Sequence, residues 1–184
     1  MVIAGFIGLL AALMLSIEYV NHLKNPHYVP VCNLNPIFSC SSVMTSAQAH
    51  VFGFPNEFIG LAGFGAVMAL GAALLAGGIF KSWLWKVINI GMLLAVVLIG
   101  WLQFETLYRI GALCIFCMIT WVATIPLFWY ITLHNLKTET IRPPKPLERL
   151  SNFIVRHHAD ILLSWVLLIV VLVLKRFWYY FGNI

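Results

Sequence analysis

Residues 113–133 read LCIFCMITWVATIPLFWYITL, an uncharged run headed by the C-x-x-C of Cys114 and Cys117. An α-helix needs roughly 20 apolar residues to cross the hydrocarbon of a bilayer, and this stretch is that long. Four more runs qualify, over 2–20, 58–80, 87–107 and 161–181. Composition agrees. Charged residues are 9 % of the 184-residue chain and hydrophobic residues 62 %, where a soluble domain carries about a quarter charged residues. Mean hydropathy is +0.96. The expected fold is an all-α integral membrane protein. It has a four-helix transmembrane bundle, a fifth appended transmembrane helix, and a short amphipathic helix in the first outer loop.

Working outward, the first run lacks the basic n-region and small-residue cleavage site of a signal peptide before Glu18 and Tyr19, so it reads as a retained helix. The last run is apolar only to Leu174. Beyond it, Lys175 and Arg176 can snorkel, and Phe177, Trp178, Tyr179, Tyr180 and Phe181 read as an interfacial aromatic belt. No lipidation box or retention tail stands at Gly182-Asn183-Ile184. Between the fourth and fifth runs, Arg142-Pro143-Pro144-Lys145-Pro146 breaks any helix and reads as a linker. The organisation expected is a catalytic bundle over 1–136, a basic Pro-containing cytoplasmic linker over 137–158, and a fifth helix with a short tail over 159–184.

Lys and Arg set the orientation. Lys81, Lys86, Lys137, Arg142, Lys145, Arg149 and Arg156 fall on one side, and Lys24, Arg109, Lys175 and Arg176 on the other. The seven-to-four excess makes the N-terminus and the two basic loops cytoplasmic. The cysteines then lie at the extracytoplasmic face of the inner (plasma) membrane, where disulfides persist. The net charge of +5 is accounted for by this topology and by contact with membrane lipid. It calls for no nucleic-acid partner.

The four cysteines form two pairs of unlike spacing. Cys32 and Cys40 lie in the polar loop 21–56, and Cys114 and Cys117 open the fourth long run. A C-x-x-C closes an easily reduced ring and can exchange with a second dithiol, so two pairs at one face suggest a redox relay. In the loop, Pro26, Pro30, Pro36 and Pro55 make an extended or turning start. After Cys40, Ser41 and Ser42 can cap a helix, and Val43, Met44, Ala47 and Val51 recur at helical spacing, giving an amphipathic helix over roughly 42–52 that ends at Gly53. Cys40 and Cys114 would each sit at a helix start, where the dipole favours a thiolate. Cys117 lies about one turn, ~4.5 Å, deeper on the same face. The outer sulfur suits exchange with another thiol and the deeper one suits contact with a membrane-soluble substrate.

Blander readings stand beside this one. Free cysteines are often inert packing residues. Four cysteines can bind zinc, and Cys32–Cys40 can be a fixed structural disulfide. His22, His27, His50, His134, His157 and His158 do not pair within spans, which discounts a bis-His haem. Glu105 and Arg109 read as a plain i, i+4 ion pair. Polar groups able to reach a membrane-soluble substrate are few: Ser46, Asn56, Asn89 and Gln103. For Ser46 and Asn56 the alternative is capping or turn chemistry.

The combination of Cys32-x7-Cys40, Ser46, Phe52-Gly53, Asn56-x3-Gly60 and Cys114-Ile115-Phe116-Cys117 resembles the vitamin K epoxide reductase family in its bacterial form, over about residues 1–134. The resemblance implies a four-helix bundle around a quinone, menaquinone or ubiquinone, as electron acceptor. It implies that Cys117 works beside the quinone, that Cys114 and Cys40 exchange, and that Cys32 meets the protein partner. Ser46 and Asn56 match positions that support the quinone site or its lid. On that basis the quinone pocket is expected beside Cys117, lined by Phe116, Trp121 and Phe58, with Asn56 donating to a carbonyl. The expected enzyme is a membrane quinone-dependent disulfide oxidoreductase that uses no metal.

Two departures from the family pattern matter. Thr120-Trp121-Val122 stands where the family often has Thr-Tyr-Ala, so a Tyr hydroxyl is missing. Many bacterial members continue into a thioredoxin-like domain. This chain ends at Ile184, so a separate extracytoplasmic thioredoxin-like protein is expected as partner. The rivals are a quinone reductase of the disulfide-bond protein B type, in which the order of the two cysteine pairs is reversed, and a non-catalytic membrane scaffold with one structural disulfide.

Overall fold

The computed structural model describes residues 1–25, 27–141 and 144–181. Pro26, Arg142, Pro143 and the terminal Gly182-Asn183-Ile184 lie outside the described residues, as do the side chains of Lys145, Tyr179, Tyr180 and Phe181. The parts of the linker, basic-loop and aromatic-belt expectations that rest on them lie there too.

Among the described residues, five helices are long and apolar enough to cross a membrane. They are α1 (Val2–Lys24), α3 (Glu57–Leu75), α4 (Ser82–Glu105, continued by a wider π turn, Thr106–Ile110), α5 (Ile115–Lys137) and α7 (His158–Phe181). Between α1 and α3 lie the short α2 (Cys40–Met44) and a 3-10 turn, Ala47–His50; a second 3-10 turn, Lys145–Leu147, leads into α6 (Glu148–Arg156). Among the described residues no strand forms beyond an isolated parallel bridge, Phe38 to Leu113. The all-α membrane class read from the sequence is the one found.

The chain divides into two compact units. The first comprises Met1–Ile79 and Val97–Thr124 and holds all four cysteines. Its frame is α1 against α3. Their surfaces meet through small residues, as helices in lipid do when they must approach closely. A Cβ placed on Gly8 would overlap the Phe64 ring, and Ala12 lies against Gly60. The helix α3 starts one residue before the apolar run and stops at Leu75 instead of reaching Phe80. Gly77 takes φ +87, and the amides of Gly77 and Gly78 turn back to the carbonyls of Leu74 and Ala73. That is the glycine stop which satisfies the last carbonyls of a helix.

The second unit comprises Phe80–Val96 and Ile125–Ile184. Its polar contacts are structural. Asn89 Nδ2 donates to Thr132 Oγ1 at 2.7 Å, Asn135 Nδ2 to the Trp85 carbonyl at 3.1 Å, and Trp129 Nε1 to the His158 carbonyl at 2.9 Å. The segment read as linker contains α6, none of whose residues is buried. Near the end of α7 the backbone leaves helical geometry at Phe177. That ring is buried while Trp178 is exposed, so Phe177 packs inward and is not part of an exposed belt.

Candidate functional site

The loop with Cys32 and Cys40 is irregular, and side chains replace the hydrogen bonds that a helix or sheet would supply. Asn33 Nδ2 donates to Ser41 Oγ at 2.7 Å, and Ser41 N donates back to Asn33 Oδ1 at 3.1 Å. Asn35 Oδ1 accepts from Ile37 N and Phe38 N. These bonds tie the chain on both sides of the Cys32–Cys40 disulfide, which is formed. Ser39 caps α2, accepting from Ser42 N, so this helix begins at Cys40 and earlier than expected. It also ends early. Thr45 Oγ1 bonds back to the Ser41 carbonyl, Ser46 Oγ to the Val43 carbonyl at 2.6 Å, and Ser46 turns extended. Local hydroxyl-to-carbonyl bonds of this kind compete with the helix. The single amphipathic helix over 42–52 is therefore two short pieces with a break at Thr45–Ser46.

The second pair reaches the first through an unusual turn. The π turn after α4 closes when Gly111 N donates to the Thr106 carbonyl, with Gly111 at φ 71, a left-handed conformation that glycine adopts without a Cβ clash. The chain then runs alongside the loop. Leu113 N donates to the Ile37 carbonyl at 2.7 Å, and Ser39 N to the Leu113 carbonyl at 3.0 Å. With 37–39 paired to 113, the next residues on each strand are Cys40 and Cys114. Both are fully buried, 0 % and 1 % exposed, in one cluster with Cys32, against which Leu15, Val43, Ile115, Phe116 and Cys117 pack.

Cys114 and Cys117 are free thiols. Cys114 occupies the capping position of α5, and Cys117 N donates to its sulfur at 3.3 Å, as an N-cap side chain accepts from the third residue of a helix. The Cys117 side chain, followed by the backbone amides of Cys117 and Phe116, holds the Cys114 thiol below its ordinary value, against burial and the Glu57 carboxyl, which push it up. The lowering expected at this position thus comes chiefly from hydrogen bonds. Cys114 is buried as a residue, packed with Cys32 and Cys40, and Cys117 is half-buried. Burial does not exclude exchange, because the neighbour of Cys114 is Cys40.

The other candidates divide. Phe116 joins the cysteine cluster. Asn56 donates through Nδ2 to the Gln48 carbonyl at 2.7 Å, while its Oδ1, an acceptor, is buried without a partner among the described residues. Ser46 is spent on its local bond and receives His50 Nδ1 at its carbonyl. Trp121 is buried, one helical turn beyond Cys117, and Phe58 is exposed; neither joins the cysteine cluster. Glu105 is more than half of a surface pair. It is 2 % exposed, sits 3.4 Å from Arg109, and accepts from Gln48 Nε2 at 3.1 Å. Gln48 therefore links Asn56 to α4.

The sequence did not single out Gln48, the pairing of His50 with Tyr19 at 3.0 Å, or Glu57, which is buried at the start of α3. A signal for Glu57 existed: it is one of only six acids in the chain, and it opens an apolar run directly after Asn56. No curated protein matches the chain. The family model described as "Vitamin K epoxide reductase family" matches residues 1–132. The chain belongs to that family.

Proposed function

We propose that this member of the vitamin K epoxide reductase family is a thiol–quinone oxidoreductase. It reoxidises a thioredoxin-like protein at the extracytoplasmic face of the inner membrane and passes the electrons to a membrane quinone, menaquinone or ubiquinone, in support of disulfide-bond formation. Family membership supports thiol–disulfide redox chemistry with a quinone. The observation that carries the finer reading is the packing of Cys40, from a formed disulfide, and Cys114, from a free pair, in one buried cluster.

A thiolate of the partner attacks Cys32 and frees Cys40. Cys40 then attacks Cys114 of an oxidised Cys114–Cys117 pair, leaving Cys117 as the thiolate. The partner's second thiol then attacks its own sulfur in the mixed disulfide, so that the partner leaves oxidised and Cys32 is freed. Cys32 next attacks Cys40, which restores the outer disulfide and leaves the inner pair as two reduced sulfurs. That is the state of the four cysteines seen here. The inner pair re-forms its disulfide as its two electrons pass to the quinone. Cys32 is 3 % exposed, whereas Val29, Val31 and Leu34 around it are largely exposed. The partner would cover this apolar rim and reach Cys32 as the 29–34 segment lifts.

The residues fit a quinone. Phe116 supplies a flat apolar wall beside Cys117. Asn56 keeps an unpartnered Oδ1 for a quinol hydroxyl and a second Nδ2 hydrogen for a quinone carbonyl. Trp121 and Phe58 extend the apolar lining, and Ser46 shapes the lid by breaking it after α2. Quinones supply two-electron, two-proton redox chemistry. The protein's part is to hold the ring beside Cys117 and keep water out. The seven-to-four Lys and Arg excess supports placing the cysteines outside.

The test is turnover in detergent with a reduced thioredoxin-like protein and a short-chain ubiquinone, followed by quinone absorbance. Turnover that vanishes in Cys114→Ala and Cys117→Ala is expected. No turnover in the wild type, or full turnover in both variants, would leave a scaffold with a structural disulfide.

A further inference from the structure

Two adjacent side chains at the head of α3 each hold a buried oxygen without a hydrogen-bond partner among the described residues, Asn56 Oδ1 and Glu57 Oε1. Glu57 is 8 % exposed. Its contrast is Glu105, also buried but met by Arg109 and Gln48. Among the described residues, Glu57 interacts electrostatically with His50, Cys114 and Cys117. A buried carboxyl oxygen without a donor is costly as a charge and less so as an acid, whose hydroxyl can donate to a ligand.

The proposed reaction leaves a proton unaccounted for. Closing the Cys114–Cys117 disulfide releases two electrons. It releases only one proton when Cys114 starts as the thiolate and Cys117 as the thiol, the order that the hydrogen bonds around Cys114 favour. A quinone takes up two electrons and two protons to become a quinol. One proton must come from a neighbour.

We propose that Glu57 is that neighbour: its carboxylic acid donates the second proton to the quinone oxygen, while Cys117 donates the first. The balance closes. Cys114 thiolate, Cys117 thiol, Glu57 acid and quinone give the Cys114–Cys117 disulfide, Glu57 carboxylate and quinol. Glu57 then recovers its proton from water. The residue is thereby catalytic and not a helix-start acid. This inference rests on the quinone reading above.

The test uses the full chain in detergent. Infrared spectra are first compared without quinone. A carboxylic acid C=O band present in the wild type and lost in Glu57→Gln is expected; no difference in that region overturns the proposal. With short-chain ubiquinone, Glu57→Gln should lower kcat on the order of 100-fold, the scale of losing a general acid. KM for quinone and the rate at which the thioredoxin-like protein reduces Cys32–Cys40 should be unchanged. Glu57→Asp should recover part of kcat. A Glu57→Gln with wild-type kcat, or one that loses activity through KM alone, overturns it. A wild type that reduces no quinone sinks the reading on which it rests; a wild type that does, with Glu57→Gln equally fast, sinks only the proton donor. Should Glu57→Gln fail to fold, wild type with isotope-labelled glutamate decides. A label-shifted acid band that disappears during turnover supports the role, and absence of such a band ends it.

Discussion

The two cysteine pairs sit in opposite kinds of structure. Cys32 and Cys40 are joined across an irregular loop, held by Asn33, Asn35, Ser39 and Ser41 through side-chain bonds. Cys114 and Cys117 stand free at the cap and first turn of a 23-residue helix, where the backbone itself donates to the Cys114 sulfur. The loop can be opened at the expense of a few hydrogen bonds. The helix cannot move its cysteines without unwinding. The difference gives motion to the first pair and fixed geometry to the second; on the relay proposed above, one would carry electrons in and the other hand them on from a constant position.

The largest expected effect comes from removing the fixed half. Cys117→Ala should lower quinone-coupled turnover by at least about 1,000-fold, as losing a member of a catalytic unit does, and leave the protein folded by circular dichroism. Turnover within tenfold of wild type would show that the helix pair is not the exit. Asn56→Ala tests the polar end of the same half. It should lower quinone turnover by roughly 10- to 100-fold, below the scale of losing an oxyanion donor, with exchange between the cysteine pairs unaltered. Unchanged quinone kinetics would remove Asn56 from the site.

On the loop side, Asn33→Ala deletes both bonds to Ser41 and should cost local stability of about 1–3 kcal/mol. Dithiothreitol should then reduce Cys32–Cys40 about tenfold faster or more, since each 1.4 kcal/mol of lost opening cost is worth tenfold. An unchanged rate would mean that the loop does not gate this disulfide. The smallest effect is a titration. Cys114 is held below the ordinary thiol value, so in wild type with the inner pair reduced, thiolate absorbance should begin to rise below the usual pKa of about 8.5. Protons leave the depressed group first as pH rises. A first transition at or above the ordinary value would contradict the hydrogen-bonded thiolate.

Much of the fold was legible because bilayer thickness is a strong ruler. The five runs and the five helices differ mainly at their ends, where Gly77 stops α3 and the Thr106–Ile110 turn extends α4. The candidate site was legible as types and spacing. Two pairs of cysteines, an Asn at a helix head and an aromatic beside a C-x-x-C are local patterns. What stayed hidden depends on residues far apart in sequence. The pairing of Ile37 and Ser39 with Leu113 seals Cys114, and no periodicity announces it. The break of the loop helix came from Thr45 and Ser46 bonding backward, which competes with a helical pattern that Val43 and Met44 genuinely display. Glu57 escaped because a single acid at the head of a helix reads as ordinary capping until its burial is known.

The central claim is that Cys40 and Cys114 exchange. Its most direct measurement is mass spectrometry of peptides from the Cys117→Ala protein, alkylated and digested without reductant. In that variant Cys114 can attack Cys40 of the outer disulfide, and lacking Cys117 it has no partner to return to. A peptide joining Cys40 to Cys114, with Cys32 alkylated, is the expected result. Recovery of Cys32–Cys40 alone, with Cys114 fully alkylated, would contradict the relay and leave the loop disulfide as a structural clamp.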